Sequence, residues 1–409
     1  MQEQPGAAFR RAVAAMDPAS PRYASELVDR LLNEAREARA SDIHLTPTDA
    51  GQEVRWRIDG VLHRVAMLPG SAAPNVVARL KVLAELLTYR SDTPQEGRIR
   101  AAPGALETRI STFPSLHGER AVVRMFAASD RFGRLDDLGL PGEIAGALRQ
   151  FLAETGGLIV LAGPAGSGKT TTLYACLREL SSTTQGEADL TTLEDPIEVS
   201  VPGVSQTQVN PSAGFTLETG LRSLLRQDPE VIAVGEIRDR AVAQVAFQAA
   251  LSGHLVLTTF HAGGAAGALG RLADLDVEPY LIRSGLLAVI FQRLARRLCT
   301  CSQPIDDPAQ WLGLPVGSAR KPVGCAECDG TGYRGRLVLA EMLIPGSPRL
   351  ALAIQAREDV PALEAAARAD GQVDRWQAGC RAVEAGLTSP AEVRRVLGLA
   401  TPAWLSSRA

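Results

Sequence analysis

Chemistry is concentrated in one stretch of this 409-residue chain, Gly163-Pro164-Ala165-Gly166-Ser167-Gly168-Lys169-Thr170. Its glycines let successive backbone N–H groups converge on phosphate oxygens, the following helix N-terminus adds positive potential, and Lys169 can reach β- and γ-phosphates while the Thr170 hydroxyl holds Mg²⁺. A glycine turn before an ordinary helix would use the same residue types. Context decides between the two. An apolar run over residues 158–162 precedes the stretch and a helix-compatible segment over 171–180 follows it, so strand, glycine loop and helix come in the order that a phosphate loop requires.

Other groups with chemical potential follow apolar runs. Glu236 comes after Val231-Ile232-Ala233-Val234-Gly235, where a carboxylate can orient water or support Mg²⁺ beside a γ-phosphate; an ion pair with Arg238 is the plainer alternative. Gly235 stands where a usual second acidic strand has Asp. Glu194-Asp195-Pro196-Ile197-Glu198 is a second acidic cluster, readable as part of the same site or as a charged loop. His254 and His261 flank one apolar run; phosphate sensing suits them better than general-base work, because phosphoryl transfer depends chiefly on positioning and charge stabilisation. Cys299, Cys301, Cys325 and Cys328 offer four thiolates, in which Cys-x-x-Cys is a good zinc half-site and Cys-x-Cys a poorer one. The expected metal is a closed, structural zinc. Cys176 and Cys380 stand apart and read as packing.

These groups need elements to hold them. Short apolar runs at 158–162, 190–193, 231–234 and 255–259, separated by helical or loop segments, predict an α/β domain with a central sheet. Ligands of such sheets sit beyond the strand carboxyl ends. Upstream, Leu27, Leu31, Ala35 and Ala38 predict an amphipathic helix over 25–40, and Val54, Trp56 and Ile58 lead through an Asp59-Gly60 turn to a partner strand over 61–65. A further helix over 74–87, a polar region over 92–100 and strand-like runs over 107–111 and 121–126 complete an α+β domain of residues 21–128. It is rich in arginine (Arg98, Arg100, Arg109, Arg120, Arg124), which composition alone reads as a solvated face. Residues 1–20 read as a loosely ordered lead-in and 129–150 as a linker with a short helix. The α/β core then takes 151–298, the four-cysteine module and last core segment 299–345, and a helical region 346–409.

Composition narrows the function classes. An apolar share of 45% is enough for proper cores, whereas a net charge of −3 and 4% aromatic residues argue against a surface built to coat or stack on nucleic acid. With no run of about eighteen apolar residues, and cysteines that do not form a secreted framework, the chain reads as cytosolic.

Taken together the sequence resembles the type II secretion and type IV pilus assembly ATPases, the GspE/PilB-like branch of the secretion NTPases. Beyond the phosphate loop and the acidic clusters, the resemblance is carried by Ser41-Asp42-Ile43-His44, Arg57-Ile58-Asp59-Gly60, Pro94-Gln95-Glu96-Gly97-Arg98, Gly118-Glu119-Arg120, Leu221-Arg222-Ser223-Leu224-Leu225-Arg226-Gln227-Asp228-Pro229, Gly253-His254-Leu255, Gln292-Arg293-Leu294 and Thr331-Gly332-Tyr333-Arg334-Gly335-Arg336.

The resemblance implies a RecA-like ATPase domain, preceded by a PAS-like α+β domain and followed by a zinc module and a helical region. It implies ATP and Mg²⁺ at Gly163 to Thr170 with Thr171 and Glu194 beside them, Glu198 as the water-positioning carboxylate and Glu236 as the Walker B glutamate. His254 and His261 become His-box residues, and Arg109 and Arg124 become arginines lent to the γ-phosphate. It also implies a homohexamer under an inner-membrane platform protein, with hydrolysis turned into domain rotation. The cysteine module favours assembly over retraction. The chain is expected to start close to the second N-terminal domain of longer relatives and to lack the one before it. A nucleic-acid translocase on the same ATP core, and an ATP-binding scaffold without turnover, are the competing readings.

Overall fold

The computed structural model describes residues 5–99, 108–125 and 133–398. Arg100, Glu107, Phe126 and Arg131, each assigned above to a region or element, lie outside them, as do residues 399–409. The chain forms two compact units, one of residues up to 128 with 298–303 and 322–335, the other of 129–297, 304–321 and 336–409.

The first unit begins with α1 (Ala7–Ala14) and α2 (Tyr23–Glu37), followed by β1 (Ala40–Thr48), β2 (Gly51–Ile58), β3 (Val61–Leu68), α3 (Ala73–Leu83), β4 (Gln95–Ile99), β5 (Thr108–Ser115) and β6 (Gly118–Met125). The strands make one antiparallel sheet in the order β3-β2-β1-β6-β5-β4. Leu27, Val28, Leu31 and Ala35 of α2 and Val76, Val77 and Leu80 of α3 bury one sheet face.

Two expectations need correction here. Within the lead-in, residues 7–14 form a docked helix: Phe9 of α1 is fully buried, its ring centroid 5.5 Å from that of Trp56, and Arg10 Nε donates to the Val65 carbonyl at 2.9 Å. A single aromatic anchor among alanines leaves no periodicity to read, yet its burial contributes about 2–3 kcal/mol. The polar region near residue 95 is a strand, β4, because an edge strand tolerates polar residues along its length and needs no apolar alternation.

The second unit contains α4 (Gly142–Leu152), β7 (Gly157–Ala162), α5 (Lys169–Thr184), β8 (Leu190–Glu194), β9 (Ser205–Gln208), α6 (Leu217–Leu224), β10 (Val231–Val234), α7 (Arg240–Leu251), β11 (Leu255–Phe260), α8 (Ala265–Asp274) and α9 (Pro279–Gly285). There follow β12 (Leu286–Leu298), the two-residue strands β13 (Gln303–Pro304) and β14 (Arg320–Lys321), β15 (Tyr333–Leu343), and α10 (Pro348–Gln355), α11 (Val360–Ala369), α12 (Arg375–Glu384) and α13 (Pro390–Leu397). The sheet order is β15-β12-β7-β11-β10-β8-β9, with β12 through β9 parallel.

Alternation along the strands feeds two apolar layers. Leu158, Val160 and Ala162 of β7 pack with α7 and α8, whereas Ile159 and Leu161 pack with α4 and α5. Covering both faces is what makes these strands continuous apolar runs. The mixed α/β architecture expected from the sequence is the one observed. Among the described residues, no helix is long and apolar enough to cross a membrane.

Candidate active site

Between β7 and α5 the backbone takes positive φ at Gly163 (148°), Gly166 (71°) and Gly168 (94°). Gly163 is the most constrained of them: a Cβ there would stand 2.5 Å from Ser167 Oγ and 2.6 Å from the Gln292 carbonyl. Lys169 opens α5 and is 8% exposed, and its Nζ donates to the carbonyls of Gly163 at 2.9 Å and Pro164 at 3.0 Å. Burial lowers its pKa, while the fields of Glu236 and Glu198 push the other way. A buried cation held by carbonyls within reach of two carboxylates is suited to an anion that brings its own charge. Thr170 is half-buried and Thr171 exposed on the first turn of the helix.

Register brings further groups to the same sheet edge. Ala162 pairs with Phe260, and Val234 pairs with both Thr258 and Leu193, so the phosphate loop, Glu194, Glu236 and His261 all leave strand carboxyl ends together. Glu236 Oε2 accepts from Arg238 Nε at 2.9 Å, and its Oε1 lies 3.4 Å from His261 Nε2. The plain ion pair and the placement beside the loop therefore coexist. A Cβ at Gly235 would stand 3.4 Å from the Glu194 Cα, so glycine there lets the ends of β8 and β10 come close.

The structure does not bring His254 to this edge. It precedes β11, and its Nδ1 lies 3.0 Å from the Ala249 carbonyl and 3.1 Å from Ser252 Oγ. A strand of this length rises about 20 Å, so two histidines that flank it stand at opposite ends of the sheet.

Glu194 is also placed differently from expectation. It is 4% exposed and spends its carboxylate on protein donors: Tyr174 Oη at 2.5 Å to Oε2, with Thr192 Oγ1 at 2.6 Å and Gln206 Nε2 at 3.0 Å to Oε1. Its geometry is that of an anchor rather than a cofactor ligand. Tyr174 and Gln206 escaped the sequence reading, although a phenol inside the apolar stretch Leu173 to Leu177 signals a buried partner. Gln292 was quoted above only as part of a motif. Fully buried in β12, it donates Nε2 to Thr172 Oγ1 at 2.9 Å and presents its carbonyl to Gly163.

In the first unit, Arg109 and Arg124 are direct partners across β5 and β6, with Arg98 opposite Arg109 and Asp42 opposite Arg124. Arg124 Nε meets Asp42 Oδ1 at 3.0 Å and Arg57 Nε meets Asp42 Oδ2 at 3.4 Å. Like charges directly opposite one another cost a sheet roughly 0.2–1 kcal/mol each. Arg98, Arg109 and Arg124 thus form one row in register across three strands. Arg120 is not in the row; its Nη2 lies 3.3 Å from His44 Nδ1.

The four cysteines also converge. The Sγ atoms of Cys299, Cys301, Cys325 and Cys328 all lie within 4.8 Å of one another, with Cys299–Cys325 at 3.8 Å, Cys301–Cys328 at 3.9 Å and Cys325–Cys328 at 3.8 Å. Sulfurs 2.3 Å from a tetrahedral zinc stand about 3.8 Å apart, so the donor set fits that metal. The one-residue spacer of Cys-x-Cys does not keep its thiols out. Backbone N–H groups of Cys325 and Gly332 point at Cys328 Sγ, each at 3.2 Å. Asp59, in the β2–β3 turn, accepts from the Gly335 N–H at 2.9 Å and ties that turn to the end of the module.

The chain is similar to known proteins over most of its length. The profile of the family described as Type II/IV secretion system protein matches residues 19–395. Type II secretion system protein E of Dickeya dadantii (strain 3937) is 43% identical over 325 residues, which cover 78% of this chain and 65% of that protein. Type II secretion system ATPase E of Vibrio cholerae serotype O1 is 40% identical over 380 residues, 91% of this chain and 75% of that protein. The Legionella pneumophila ATPase DotB shares the fold, with a TM-score of 0.65 at 21% identity over 90% of this chain and 95% of its own.

Proposed function

Since the chain belongs to the Type II/IV secretion system protein family, we propose that it hydrolyses ATP to power assembly of a pilus or pseudopilus. It would work as a homohexamer on the cytoplasmic face of an inner membrane, through a platform protein of a secretion or pilus system. The observation that carries the ATPase reading is the convergence at one sheet edge of the phosphate loop, Glu236 and His261, with Lys169 buried in the fields of Glu198 and Glu236.

In this reading the backbone N–H groups of Ala165, Gly166, Gly168, Lys169 and Thr170, together with Lys169 Nζ, bind the β- and γ-phosphates, with Lys169 exchanging its two carbonyl partners for phosphate oxygens. The Thr170 hydroxyl would hold Mg²⁺, which would supply charge neutralisation at the phosphates. Glu198 and Glu236 orient the attacking water, and the positions of both are supported by their pull on Lys169. Arg109 and Arg124 stabilise charge that develops on the γ-phosphoryl group. Hydrolysis would be turned into domain rotation, as the resemblance implies. The four cysteines would carry one structural zinc, which supports an assembly motor.

The test is the ATPase rate, with the oligomeric mass measured alongside, for wild type and Glu236→Gln. Turnover in the hexamer fraction, at least 100-fold lower in the variant while ATP binding survives, is the expected outcome. ATP binding without turnover in wild type, even with the platform protein's cytoplasmic domain added, would replace the motor with a scaffold.

A further inference from the structure

Tyr174 lies five residues after Lys169 on the same helix and is 4% exposed. Its hydroxyl donates to Glu194 Oε2 at 2.5 Å and accepts the backbone N–H of Glu198 at 3.1 Å. Gln206 makes a second arm from the same carboxylate: Nε2 donates to Glu194 Oε1 and to the Val199 carbonyl, each at 3.0 Å, and Oε1 accepts the Val201 N–H at 2.6 Å. The segment carrying Glu198 is thus gripped on either side of Val199 by groups that share one buried anchor. We propose that Tyr174 is a positioning residue, which keeps Glu198 in register with the helix that presents Lys169. This deepens, and rests on, the ATPase reading given above.

The physical case is one of matched donors and acceptors. Glu194 as a carboxylate only accepts, the phenol supplies the proton, and the phenol oxygen is then polarised to accept from Glu198. Burial, followed by the hydrogen bond to Glu194, pushes the Tyr174 pKa up, so the hydroxyl stays protonated and the direction of donation is fixed. Thr192 bonds the same carboxylate at 2.6 Å but lies on β8 itself, and Ser181 Oγ of α5 bonds the Pro202 carbonyl at 3.1 Å, beyond the acidic segment. Phenylalanine at 174 would keep the ring packing and remove the link.

The experiment compares kcat, KM for ATP, affinity for a fluorescent ATP analogue and melting temperature in wild type, Tyr174→Phe and Thr192→Val. A displacement of about 1 Å in a catalytic group costs roughly 10- to 100-fold in rate. Tyr174→Phe is therefore expected to lose about that much kcat, with nucleotide affinity within about threefold of wild type. Thr192→Val, which removes a donor from Glu194 without touching the Glu198 segment, is expected to stay close to wild-type kcat. If Tyr174→Phe does not fold, Gln206→Leu takes its place with the same expected split. Unchanged kcat in an active enzyme, affinity falling in step with kcat, or an equal loss in Thr192→Val would each overturn the positioning role. Absence of turnover in wild type would instead count against the ATPase reading.

Discussion

Gly163 joins backbone conformation to chemistry in a single residue. Its φ of 148° lies where side chains are rarely accommodated, and the carbonyl of Gln292 blocks the Cβ position at 2.6 Å from a strand that cannot yield. Gly163→Ala should therefore fold but open the loop, and a titration with a fluorescent ATP analogue should register at least about tenfold weaker binding, the equivalent of roughly 1–3 kcal/mol of strain. Affinity equal to wild type would mean that the loop tolerates another path. Lys169 was readable from its place in the motif. Its hold on Gly163 and Pro164 was not, because the carbonyls that receive an ammonium depend on how the loop closes.

At the scale of elements, the cysteine module is the clearest case of distant segments making one site. Cys299 and Cys301 lie just beyond β12, while Cys325 and Cys328 open and close a short turn before β15. Purified protein should contain about one zinc per chain, and a strong chelator under reducing conditions should lower the melting temperature, as should Cys301→Ser, since a closed tetrahedral site contributes folding energy outright. Protein without zinc, and indifferent to both treatments, would leave the thiols as packing. The phosphate loop, the Asp59-Gly60 hairpin and the short apolar strands were legible in the sequence because turn chemistry and alternation act over a few residues. The edge strand β4 and the docked helix α1 were not, since partners supplied from elsewhere in the chain stabilise both.

For the molecule as a whole, the second unit holds a buried acid where α13 meets β12. Glu392, in the first turn of α13, is fully buried and accepts from Arg296 N–H, Nε and Nη2 at 2.8, 3.0 and 2.8 Å, and from Arg395 Nε and Nη2 at 2.8 and 2.5 Å. Burial alone would raise its pKa, but the hydrogen bonds from Arg395 and Arg296 outweigh it and pull the carboxyl down to about 2. A folded-state pKa below the ordinary 4.5 means stability that is present above about pH 4.5 and withdrawn as the pH falls toward 2. Thermal unfolding followed from pH 7 to 3 should show that loss in wild type and a flatter response in Glu392→Gln, which starts about 3 kcal/mol less stable because two arginines keep half a partner. Parallel curves for the two proteins would show that this acid does not set the response.

The sequence by itself determined the groups that can handle phosphate and the strand, loop and helix that present them, because those features are made by residues within a few positions of one another. It also carried the family resemblance, which depends on residue order rather than on contacts. Only the tertiary structure decided which groups share an edge. Parallel pairing set that, bringing Glu236 and His261 to the loop and leaving His254 a strand's length away. It also turned Glu194 inward as an anchor for Tyr174 and Gln206, since the direction a carboxylate faces follows from the donors that the packed helix and neighbouring strand bring to it.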